Sequence, residues 1–83
     1  MNVVSAPEYA EVAVKVSKGH FKRWLNGELD THETYSFMAF LGQQATRLWL
    51  EKGIEILGPI DIASYDYTEH EAVLSLFAVQ RPS

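Results

Sequence analysis

The chain has 83 residues, 47% hydrophobic and 22% charged, with a net charge of −4 at neutral pH. That length excludes more than one domain, and that composition excludes a disordered tail. There is no cysteine, so disulfides and thiolate metal sites are excluded too. No window reaches the roughly 18 apolar residues of a membrane span. Met1–Ser5 lacks the basic and apolar regions of a secretory leader, which points to a cytoplasmic location.

The charge is uneven. Residues 1–27 are net basic through Lys15, Lys18, Lys22 and Arg23. Residues 54–83 are strongly acidic, setting Glu55, Asp61, Asp66, Glu69 and Glu71 against Arg81 alone. An acidic half disfavours a phosphate backbone and favours a basic protein partner.

Residues 11–17 alternate, with Val12, Val14 and Val16 on one face and Glu11 and Lys15 on the other. This predicts a half-buried strand. Lys18-Gly19 reads as a turn, and residues 20–25 as a returning strand with Phe21 and Leu25 on one face and Lys22 and Trp24 on the other. Asn26-Gly27 marks a further turn. A rival reading makes the N-terminal region a helix capped by Ser5 with Glu8 at N3 and Pro7 in its first turn. Tyr9, Val12, Ala13 and Val16 would then be its stripe.

A long helix is expected at about 31–52. Asp30-Thr31-His32-Glu33 has the form of a capping box, with Thr31 or Thr34 as other caps. Phe37/Met38, Leu41, Ala45 and Leu48/Trp49 follow at helical spacing. Gly42 is read as a close approach to the sheet, and Gly53 as the glycine that ends the helix.

Ile54–Leu57 reads as the start of a strand that Gly58-Pro59 interrupts. A C-terminal hairpin is expected at about 60–80, turning at Thr68-Glu69-His70. Its last strand is apolar on both faces: Ala72, Leu74, Leu76 and Ala78 on one, Val73, Phe77 and Val79 on the other. Such a strand wants cover on both sides. One helix supplies one layer, and the other must come from elsewhere, a partner being one source.

The expected fold is therefore a single small α+β domain over 1–83. About four strands form an antiparallel or mixed sheet on one long helix, in the order β-β-α-β-β. The alternative is α-α-β-β with an N-terminal helix.

Four constellations bear on function. Residues 17–27, carrying Lys18, His20, Lys22 and Arg23, resemble the texture of a helix-turn-helix recognition helix. That reading needs residues 8–17 to be helical, and Glu28, Asp30 and Glu33 lie close by. The bland reading of the same lysines and arginine is a solvated strand face. His20, His32 and His70 have no metal-ligand spacing, so neither a metal nor a cofactor is expected. The serines sit in no nucleophile elbow, Ser75 reads as locally hydrogen-bonded within its strand, and no glycine-rich phosphate loop exists, so no catalytic residue is assigned. The fourth is a recognition surface. Strict alternation puts Asp61, Tyr65 and Tyr67 on the open side of the sheet with Phe77, and Glu69 and Glu71 at the rim. Trp24 joins them if residues 20–25 are a strand. Ordinary cross-strand shielding by the same tyrosines is the plain account, and stacking of RNA bases on them is a third, opposed by the acids.

The expected role is an acidic protein-binding module, not an enzyme. It would be an accessory protein or inhibitor of the kind phages and mobile elements make, docking on a larger basic nucleic-acid-handling protein. The alternatives are a helix-turn-helix-like DNA-binding regulator using residues 17–27 and a homodimeric structural domain.

Overall fold

The computed structural model describes residues 8–82. Along them run β1 (Tyr9–Ser17), α1 (Lys18–Leu25), α2 (Thr31–Glu51), β2 (Asp61–Tyr67) and β3 (Glu71–Val79). The strands form one antiparallel sheet in the order β1-β3-β2. Both helices pack on the same side of it. The domain is thus α+β, with a sheet on helices, but its described residues form three strands rather than four.

One correction accounts for the difference, and a second moves the start of the strand that follows α2. Residues 20–25 are not a second strand; they belong to α1. Phe21 and Leu25 are four apart, a spacing shared by alternation and by one helical turn. Capping settles the matter locally. The Ser17 hydroxyl accepts a hydrogen bond from the His20 amide at 3.4 Å, and Lys18-Gly19 becomes the helix's first turn instead of a hairpin. Ile54–Leu57, in turn, makes only one isolated bridge, Ile56 to Gln80, with the Leu57 amide donating to the Val79 carbonyl at 2.8 Å. Gly58-Pro59 follows directly, and proline has no amide with which to extend a ladder. The N-terminal helix of the rival reading is also absent, since Tyr9–Ser17 is a strand. Its proposed cap at Ser5 and Pro7 lies outside the described residues.

The helix ends explain why two helices fit between β1 and β2. Asp30 and Glu33 form a full capping box at the start of α2, the Asp30 carboxylate accepting from the Glu33 amide at 2.7 Å. Both helices stop in the same way. Gly27 and Gly53 have φ of +70° and +74°. The Gly27 amide donates to Trp24 O and the Glu28 amide to Arg23 O; Gly53 donates to Leu50 O and Ile54 to Trp49 O. These paired bonds are Schellman caps, which satisfy the last free carbonyls of each helix.

The core lies between sheet and helices. Ala10, Val14 and Val16 of β1 and Ala72, Leu74, Leu76 and Ala78 of β3 meet Phe21 of α1 and Phe37, Leu41, Ala45 and Trp49 of α2. Phe21, Trp49, Leu74 and Leu76 are fully buried. Each such side chain contributes about 1.5–3 kcal/mol of burial. Gly42, by contrast, does not mark a close approach to the sheet. A Cβ built there meets nothing within 4 Å.

Candidate functional site

Among the described residues, none forms a layer on the side of the sheet away from the helices. β3 runs down its middle and shows Glu71, Val73, Ser75, Phe77 and Val79 there. The last four are half-buried. The pairing register sets their neighbours. Val79 is opposite Tyr9. Phe77 lies between Glu11 of β1 and Asp61 of β2. Ser75 lies between Ala13 and Ser64, Val73 between Lys15 and Asp66, and Glu71 is opposite Ser17. The Tyr9 ring leans on Phe77 with centroids 5.8 Å apart. The result is an apolar strip, Val73 to Val79, flanked by Glu11, Asp61, Asp66 and Glu71 with Lys15 as the single cation. All five charged residues are exposed.

Of the residues expected on this face, Asp61, Phe77 and Glu71 are there. Tyr65 and Tyr67 are not. A bulge between Ile62 and Ser64 leaves Ala63 without a partner on β3, so the alternation of β2 inverts beyond it. Tyr65 pairs with Leu74 and Tyr67 with Ala72, on the helix side. There their rings meet Phe21 edge-on at 4.8 and 6.2 Å. Trp24 is on that side as well, between Phe21 and Phe37. Glu69 sits in the hairpin loop, 3.6 Å from His70 and exposed, beyond the rim of the face. Ser75 lies half-buried in the middle of the open face.

The basic residues of the helix-turn-helix alternative cluster on α1. Lys18 and Lys22 each hold their ammonium 5.2 Å from the centre of the Tyr67 ring, and Lys18 also donates to the Thr68 carbonyl. Arg23 approaches Glu33 at 3.8 Å. His20 packs on Phe37 at a tilt, with centroids 5.1 Å apart and the rings 52° from parallel. The preceding helix that a three-helix DNA-binding unit needs is the strand β1, so that reading loses its support element.

Where β1, α1 and α2 meet there is an open groove of about 470 Å³, bordered by Lys15, His20, His32, Glu33 and Glu71 over Phe37 and Phe40. Its charges are of mixed sign. No group of three or more metal-ligating side chains occurs among the described residues. None of their helices is long and apolar enough to cross a membrane.

No known family model, curated protein or solved structure matches this chain. Its own geometry therefore carries the functional argument.

Sequence reasoning left Tyr9, Glu11, Lys15 and Ser64 out of the site. The signal for Glu11 and Lys15 was visible, because they are the outward set of an alternating strand. Joining them to Phe77 requires the pairing of β1 with β3, which no local pattern encodes.

Proposed function

We propose that this chain is a protein-binding module and that the open sheet face is its docking surface. One observation carries the reading: a strip of Val73, Phe77 and Val79 at the centre of the sheet, covered by no layer of the described residues and bordered by four carboxylates. An apolar centre with a charged rim has the anatomy of a protein interface. Four carboxylates against one lysine select a partner of opposite sign and oppose face-to-face pairing of two copies. A basic groove built to hold nucleic acid is such a partner. Occupying it would make the chain an accessory protein or inhibitor, with no catalytic step and no cofactor. Lys18, Lys22 and Arg23 already face an aromatic ring or a carboxylate of their own chain, so the DNA-binding alternative has less behind it.

A photo-crosslinking residue placed at Ser75, against a control at Gln43 on the outer side of α2, tests the reading in the source organism. Crosslinks from Ser75 alone are expected. Charge reversal at Asp61 and Asp66 to lysine should weaken the captured complex at least about tenfold while the melting temperature holds. Equal capture from Gln43, or indifference to the reversal, would overturn it. A crosslinked dimer of the chain itself would instead assign the face to self-association.

A further inference from the structure

The open face is not evenly acidic, and the unevenness has a chemical meaning. Two of its carboxylates stand in one row with an aromatic ring between them. Glu11 and Asp61 are the cross-strand neighbours of Phe77, one on each side. Neighbouring strands are about 4.8 Å apart, so the two carboxylates bracket the ring across roughly twice that distance. The other rows differ. Val73 is flanked by Lys15 and Asp66, whose charges oppose each other, and Ser75 by Ala13 and Ser64. Tyr9 closes the far side of Phe77 at a centroid distance of 5.8 Å.

We infer that the row Glu11, Phe77 and Asp61 is a recognition point for an arginine side chain of the basic partner. This rests on the open face being the docking surface, and it adds which cation the face selects. A guanidinium is flat and weakly hydrated, and it stacks on an aromatic face while its edge donates to carboxylates. A ring with a carboxylate on either side offers both contacts at once. An ammonium is a compact, strongly hydrated point charge. It gains from the carboxylates but loses the stacking and the paired N–H donors. The chain's own arginines are placed elsewhere: Arg23 faces Glu33, Arg47 bonds Gln44, and Arg81 pairs with Glu55. Neither Glu11 nor Asp61 has a salt-bridge partner among the described residues.

The probes are two capped pentapeptides, one alternating arginine with valine and the other lysine with valine, titrated into the full chain and followed by amide chemical shifts. The arginine peptide is expected to shift Glu11, Asp61 and Phe77 and to bind about two- to fivefold more tightly than the lysine peptide. Phe77→Leu keeps an apolar side chain on the strand, so the fold survives, and it should erase that difference. Asp61→Asn should weaken both peptides. Equal binding of the two peptides at the same amides would overturn the selection of arginine and leave a docking face for basic partners in general. Shifts at α1 or α2 alone would overturn the recognition point, while crosslinking from Ser75 would still decide the docking face separately.

Discussion

Two single residues show how local chemistry decides larger features. Trp49 is 1% exposed, and its indole N–H has no acceptor among the described residues. A buried donor left unpaired costs about 1–3 kcal/mol. The ring nevertheless belongs to the core, against which Ile54 and Ile56 pack. Trp49→Phe removes the unpaired donor along with some volume, so its net cost is expected to stay below about 1.5 kcal/mol, whereas Trp49→Ala should cost about 3–5 kcal/mol. Urea denaturation of the two variants measures both values. Ala63 is the other residue. The sequence from Ile60 to Tyr67 changes phase at this residue: apolar Ile60 and Ile62 fall at even positions and Tyr65 and Tyr67 at odd ones, and skipping Ala63 restores a single alternation of apolar and polar side chains. Past the bulge, Tyr65 and Tyr67 pack on Phe21, a side chain more than forty residues earlier in the chain. Counting the alternation straight through Ala63 leaves Asp61 and Phe77 correctly on the surface and puts the tyrosines on the wrong face.

At the scale of elements, the helix signals that rest on local hydrogen bonds were readable. The Asp30–Glu33 box and the terminal glycine Gly53 are both present, because capping depends on neighbours a few residues away. α1 was missed because its eight residues are stabilised mainly by burying Phe21, and its apolar spacing suits either structure. The glycines of α2 divide cleanly. Gly42 sits inside the helix with space around it, so Gly42→Ala should raise stability by about 1 kcal/mol, with a melting temperature higher by roughly 4–8 °C. Gly53→Ala should lower stability by about 1 kcal/mol, because φ of +74° is costly for any residue with a Cβ. Thermal melts of the pair provide the check. A rise at Gly42 would also show that the notch it leaves on the outer surface of α2, beside the exposed Met38, serves no packing within this chain.

Seen whole, the molecule is two-sided. Its core lies under one face of a thin sheet, and its acidic, partly apolar face lies on the other. The α+β class and the surplus of apolar surface on the last strand were legible, since composition and alternation carry them. Strand order was not, because pairing between Tyr9–Ser17 and Glu71–Val79 spans nearly the whole sequence. That order has a consequence for how the protein is made. The middle strand of the sheet is translated after both of its neighbours. Until it emerges, β1 and β2 have no strand to pair with, and each offers unsatisfied amides and carbonyls to anything nearby. Ribosome-stalled chains ending before Glu71 should therefore be cut readily by protease within β1, and the full chain held through a C-terminal linker that carries β3 clear of the ribosome should resist. The sheet assembles only once its centre has been synthesised, so the growing chain depends on speed or on a chaperone to keep its first strand out of trouble.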